Sequence, residues 1–140
     1  MHLAILGATG GLGRALVNHA LDQGHRVTGL ARTPAKLDVE HPDLRLIQGV
    51  FQDRDALDRA TEGTDAVLSA VGFSSGQDPA VFGTGMRHLV DLLEARGPRR
   101  LIAISGAGLV LDGDAMPISR RLIIAALKLF SPKVLEGKEH

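Results

Sequence analysis

The sequence contains no cysteine, no tyrosine and no tryptophan, and it has four phenylalanines. Without cysteine, disulfides, thiolate catalysis and cysteine-based zinc or iron-sulfur sites are excluded. Without tyrosine and tryptophan, no mechanism can use a tyrosine acid, and no aromatic cage can form. The six histidines share no metal-ligand spacing, so we expect no metal site.

The sequence also has no excess charge and no long apolar run. Lys plus Arg and Asp plus Glu are both 16, so the formal net charge is +0, which argues against nucleic acid as the main partner. Residues 1–6 lack the basic region and long apolar stretch of a secretory signal, and the apolar run 122–127 is too short to cross a bilayer. We therefore expect a cytoplasmic protein with no membrane partner.

What is present is an alternation of short apolar runs with stretches of helical periodicity. The 140 residues suit one domain, and the alternation predicts an α/β fold in which helices cover both faces of a parallel sheet. Phe82, Met86, Leu89 and Leu93 form one apolar stripe of a predicted helix that begins at Pro79. The predicted strands are 2–6, 25–31, 44–48, 66–71 and 100–105, and a last helix is predicted over 119–130.

The strongest motif is the glycine-rich run GATGGLG at residues 7–13, placed directly after the first predicted strand and opening the first helix. Gly7 would permit a tight turn, Gly10 a close approach to a pyrophosphate, and Gly13 close packing of helix on sheet. The N–H groups at the helix N-terminus would face the anion. This order of elements predicts a dinucleotide site, and the alternative is an ordinary glycine-rich turn.

The cofactor type is indicated at the end of the second predicted strand. An Asp or Glu there would bind the ribose 2′-hydroxyl of NAD, but none occurs between Asp22 and Asp38. Arg32 instead stands nineteen positions after Gly13, with Lys36 nearby. Because an arginine fork suits a 2′-phosphate, NADP is favoured over NAD, and the alternative is a solvated loop arginine.

Four segments together resemble one family: residues 7–13, the run GLARTP at 29–34, DAVLSAVG at 65–72 and LIAISG at 101–106. They are similar to the atypical short-chain dehydrogenases, in the NAD(P)H-binding, NmrA-like branch that includes the biliverdin-IXβ reductases and flavin reductases. The resemblance implies that Arg32 binds the 2′-phosphate and that Ser105 lies at the nicotinamide and substrate end. It implies a pyrophosphate site at Gly7, Thr9, Gly10, Gly11, Leu12 and Gly13, and a nicotinamide-ribose site at Ala70, Val71 and Gly72.

The sequence departs from that family at three points. After the third predicted strand the family has Gly-Asp-Val, whereas residues 49–51 are GVF, so we expect backbone groups around Phe51 to hold the adenine edge. Members of that family continue beyond the position of His140. We expect residues 1–140 to form a single NAD(P)-binding domain that lacks part of the substrate pocket. The Tyr-x-x-x-Lys pair of the larger family cannot exist without tyrosine.

The leading interpretation is an NADPH-dependent reductase on a Rossmann-like, doubly wound parallel sheet of strand order 3-2-1-4-5. Flavins, quinones and extended tetrapyrroles delocalise incoming charge and take their proton from solvent, so such small-molecule acceptors need no tyrosine. Ser105 is the one catalytic candidate, and alternatively it only begins the turn over 105–108.

Two other functions stay open. The first is a non-catalytic NADP sensor that controls a protein partner, as in NmrA-like relatives, and the second is a nucleotide-sugar epimerase, which normally needs the absent tyrosine. The apolar segment 122–130 is expected either to be buried or to bind a partner, including a second copy of the chain.

Overall fold

The computed structural model of the chain describes residues 1–72, 79–98 and 100–104. In chain order, the elements are β1 (His2–Leu6), α1 (Gly11–Asp22), β2 (Arg26–Ala31), a 3₁₀ turn (Pro34–Lys36), β3 (Leu44–Gln48), α2 (Arg54–Thr61), β4 (Ala66–Ser69), α3 (Pro79–Arg96) and β5 (Leu101–Ala103). The strands form one parallel sheet of order β3-β2-β1-β4-β5. The Rossmann-like α/β fold and its strand order are therefore confirmed.

Each of the five predicted strands is present, and three of them are shorter than predicted. β2 begins at Arg26 because the His25 N–H donates to the Ala20 carbonyl at the end of α1, 2.9 Å away. β4 ends at Ser69 and β5 covers Leu101–Ala103. The helix predicted over 119–130 lies outside the described residues.

Side chains alternate between two buried layers, one on each face of the sheet. On one face, Ile5 and Val27 pack against Val17 of α1. On the other face, Leu6 and Val67 pack with Leu57 of α2 and Leu89 of α3. Because both faces are covered, the central strands are apolar almost throughout, as the sequence predicts for a parallel sheet.

Helix ends follow from local chemistry. Asp53 caps α2, and its Oδ1 accepts from the N–H groups of Asp55 at 3.0 Å and Ala56 at 3.2 Å. Gly24 and Gly63 follow α1 and α2 with φ of 74° and 64°, a conformation that favours glycine as a helix stop.

No helix formed by residues 1–72, 79–98 and 100–104 is both long enough and apolar enough to span a membrane.

Candidate functional site

A cleft of about 370 Å³ lies at the carboxyl ends of the strands. The chain runs from β1 to β2 on one side and later returns to β4 on the other, so the strand order reverses beside β1. Ligands of open α/β sheets bind in the crevice at such a switch point. Five segments line the cleft: the turn after β1, residues 30–32 at the end of β2, residues 49–52 after β3, residues 70–72 after β4, and the first turn of α3.

The turn after β1 is fixed by backbone contacts. The N–H groups of Gly7 and Ala8 both donate to the Leu30 carbonyl, at 2.9 and 3.1 Å, and the Gly10 N–H donates to the Gly7 carbonyl at 3.0 Å. Gly7 has φ of 80°, where a side chain would be strained. At Gly13 a Cβ would lie 2.0 Å from the Gly7 oxygen, so only glycine fits there. Side chains are therefore disfavoured at Gly7 and excluded at Gly13.

Two other glycines of the same turn are not required by protein packing. A Cβ at Gly10 would lie 3.4 Å from the Gly7 oxygen, an ordinary contact, and a Cβ at Gly11 would meet no atom within 4 Å. Gly10 is the N-cap of α1 and provides no side-chain hydrogen bond, and the first N–H groups of a helix have no partner within it. The open space and these donors fit an anion such as a pyrophosphate.

Arg32 stands where β2 meets the cleft. Its side chain is exposed and forms no ion pair with any residue that the structure describes. The other polar side chains of the described lining are Thr9 and Gln52, and no carboxylate or histidine is among them. The described part of the cleft therefore offers one cation and no general acid or base.

The structure brings most of the predicted cofactor residues to one place. The cleft lining includes Gly7, Thr9, Gly10, Arg32, Phe51, Ala70, Val71 and Gly72. Gly11, Leu12 and Gly13 are not part of the lining; Gly13 is buried behind the turn, and Leu12 is 49% exposed. Their contact with a cofactor stays a prediction, as it does for the lining residues. Ser105, the predicted catalytic residue, lies outside the described residues.

Val81 and Phe82 also line the cleft, although neither was predicted from the sequence to be a site residue. The Phe82 and Phe51 ring centroids are 5.6 Å apart, with the rings tilted by 34°. Gly85 makes room for this pair, because a Cβ there would lie 2.4 Å from the Phe51 ring. The sequence signal for this contact was Gly85, a glycine inside a predicted helix, because glycine weakens a helix and is typical of positions where another group packs closely against the backbone.

Metal binding has no support in the part of the chain that the structure describes. No group of three or more histidine or acidic side chains among those residues could hold a metal ion. Asp53, which stands near the cleft in sequence, caps α2 instead.

The comparisons with known proteins agree with this geometry. A family model described as NAD(P)H-binding matches residues 7–128. The chain is 38% identical over 95 residues to the (4-alkanoyl-5-oxo-2,5-dihydrofuran-3-yl)methyl phosphate reductase of Streptomyces griseus, a match that covers 64% of this chain and 33% of that protein. It is 28% identical over 159 aligned positions to the oxidoreductase aflX of Aspergillus parasiticus, covering 98% of this chain and 60% of that protein.

Among solved structures, the fold is similar to that of a short-chain dehydrogenase/reductase from Veillonella parvula. The TM-score is 0.73 at 24% sequence identity, with 98% of this chain and 59% of that chain covered. The chain thus spans between 33% and 60% of the length of these three relatives.

Proposed function

The chain belongs to the NAD(P)H-binding family, and from that premise we propose that it is an NADPH-dependent reductase of the atypical short-chain dehydrogenase type. The acceptor we propose is a conjugated ring system such as a flavin or a quinone. The proposed assignment within the family is the NmrA-like branch that includes the flavin reductases, with a cytoplasmic location.

One observation carries this proposal: Arg32 is the only ionisable side chain among the described residues that line the cleft. A single cation beside the end of β2 is suited to the 2′-phosphate that distinguishes NADPH from NADH. No acid stands among the described lining residues, which suits an acceptor that spreads incoming negative charge over a ring system and takes its proton from solvent. The described lining residues therefore support both the preference for NADPH and the choice of a conjugated acceptor.

In the proposed reaction, the residues of the chain would bind and orient the cofactor and the acceptor, and NADPH, when bound, would supply the hydride. The turn with Gly10 would hold the pyrophosphate on the N-terminus of α1, and Arg32 would pair with the 2′-phosphate. Residues 70–72 would run beside the nicotinamide ribose. Val71, Val81 and Phe82 are apolar residues of the lining that would exclude water and pack against a flat ring.

The names of two relatives point in the same direction. The Streptomyces griseus protein is a reductase, and the Aspergillus parasiticus protein is an oxidoreductase. Because each match covers only part of those proteins, their substrates are not transferred to this chain.

The proposal is tested by following NADPH absorbance with FMN or a benzoquinone as acceptor. We expect oxidation that depends on both acceptor and protein, and that is lost in a Gly10→Val variant. Binding of NADPH without turnover by any acceptor would instead indicate the non-catalytic sensor. Sedimentation of the same samples tests self-association through the segment 122–130, which lies outside the described residues.

A further inference from the structure

Arg14, in the first turns of α1, links two separate segments of the cofactor site. Its Nε donates to the Thr9 carbonyl at 3.0 Å, and its Nη2 donates to the Lys36 carbonyl. Thr9 belongs to the glycine turn, whereas Lys36 closes the 3₁₀ turn that follows Arg32. We propose that Arg14 is a positioning residue that holds the segment 32–36 against the glycine turn and so sets the preference for a 2′-phosphate. This inference rests on the proposed NADPH dependence.

The segment that carries Arg32 has few other restraints near the cleft. After β2, the chain is shaped by the 3₁₀ turn, whose Lys36 N–H donates to the Thr33 carbonyl at 3.1 Å and whose Leu37 N–H donates to the Pro34 carbonyl at 2.8 Å. The Arg32 carbonyl accepts from the Gln48 side chain at 3.5 Å, the limit of a hydrogen bond. These hydrogen bonds are local or weak, and the burial of Leu37 in the core anchors the chain just after the turn, on the side away from Arg32 in sequence. Arg14 supplies the direct side-chain bond from this turn to the phosphate-binding turn.

A guanidinium is suited to this task in a way that an ammonium is not. Its donors lie in one rigid plane, so the two carbonyls it bonds are held at a fixed separation. A lysine would preserve the positive charge but would hold the carbonyls with a flexible stem. If Arg14 acts by geometry, lysine should not replace it. If Arg14 acts only as a positive charge near the phosphates, the Arg14→Lys variant should keep the preference for a 2′-phosphate.

The preference can be measured without turnover, using two fragments of the cofactor. Adenosine 2′,5′-bisphosphate carries the 2′-phosphate and 5′-AMP does not, so the ratio of their affinities isolates what the Arg32 segment contributes. The ratio is to be measured by calorimetric titration for the wild type, Arg14→Leu, Arg14→Lys and Arg32→Leu. Arg59→Leu is the matched control, because Arg59 is also exposed on a helix and bonds a backbone carbonyl, that of Asp55, away from the cleft.

We expect the wild type and Arg59→Leu to prefer the bisphosphate by about tenfold or more, the range of a charge-assisted hydrogen bond. Arg14→Leu should lose most of that ratio with Arg32 still present, and Arg14→Lys should lose most of it as well. A falling affinity for both fragments at a constant ratio would show a merely structural role and overturn the inference. Full retention by Arg14→Lys would show a simple charge effect and also overturn it.

The same titrations distinguish a failure of the proposed NADPH preference from a failure of the role of Arg14. A wild-type ratio near one, unchanged in Arg32→Leu, would refute NADPH preference itself, and the role of Arg14 with it. A high wild-type ratio that falls in Arg32→Leu and not in Arg14→Leu would refute the role of Arg14 alone.

Discussion

The glycine turn at residues 7–13 and Arg32, at the start of the segment 32–36, border the same cleft, yet they present different groups to it. The turn is specified by backbone: its N–H groups bond fixed carbonyls, and Gly13 leaves no room for a side chain. The segment at 32–36 is shaped by the backbone hydrogen bonds of its 3₁₀ turn, but its contribution to the cleft lining is Arg32, whose side chain is exposed and has no ion pair among the described residues. The family match and the backbone turn indicate that dinucleotide binding is built into the fold. Under the proposed function, the choice between NADPH and NADH would depend on the exposed side chain of Arg32.

The glycines of the turn are of two kinds, those that protein packing requires and those that it does not. Replacing a required glycine is expected to have the largest effect. Gly13→Ala places a Cβ 2.0 Å from the Gly7 oxygen, so the backbone must shift. We expect a loss of about 3 kcal/mol or more in the free energy of unfolding, measured by urea denaturation. Gly11→Ala is the control: it meets no atom within 4 Å and should be neutral or stabilising. Equal stabilities of the two variants would show that the turn is not fixed as described.

Gly10→Val tests the ligand side of the same turn. Its Cβ makes only an ordinary contact with the protein, so the free energy of unfolding should change by about 1 kcal/mol or less. The side chain would fill the space proposed for the pyrophosphate, and NADPH binding should be abolished. Thermal melting and calorimetric titration check the two statements. A folded Gly10→Val protein with wild-type affinity would reduce the motif to a structural turn.

Arg32→Glu tests the exposed segment. A charge-assisted contact with the 2′-phosphate is worth roughly 1.5 to 3 kcal/mol, or about one to two decades of affinity, and a carboxylate would also repel that phosphate. The ratio of NADPH to NADH affinity should fall below one while the melting temperature stays unchanged. Arg45→Glu makes the same charge change at an exposed position of β3 outside the cleft lining, and it should leave the ratio intact. An unaltered preference in Arg32→Glu would exclude Arg32 as the selecting residue.

Asp53→Ala gives the smallest expected effect, on α2, which follows the segment 49–52. Loss of the cap should lower the free energy of unfolding by about 1 kcal/mol, and Asp53→Asn, which keeps an acceptor oxygen, should lose less. Cofactor selectivity should be the same in both variants. A change in selectivity would mean that the cap also shapes the cleft.

The parts of the molecule that could be predicted from sequence are those in which local chemistry determines the outcome. The alternation of apolar runs predicted the parallel sheet, because strands that are buried on both faces are apolar almost throughout. The glycine turn could be located because its shape excludes side chains at Gly13.

The rest depends on contacts between distant segments, which a single sequence does not encode in any local pattern. Arg14 bonds a carbonyl 22 positions away, and nothing in the helix motif distinguishes it from a solvated arginine. Phe82 belongs to a stripe at helical spacing, and its place in the cleft follows from the packing of Phe51 against Gly85. Tertiary packing decided both positions.

The most direct test of the account is calorimetric titration of the wild-type protein with NADPH and with NADH under the same conditions. We expect both to bind, because the backbone turn accepts either pyrophosphate, and we expect NADPH to bind about ten to a hundred times more tightly because of Arg32. Equal affinities, or tighter binding of NADH, would contradict this expectation.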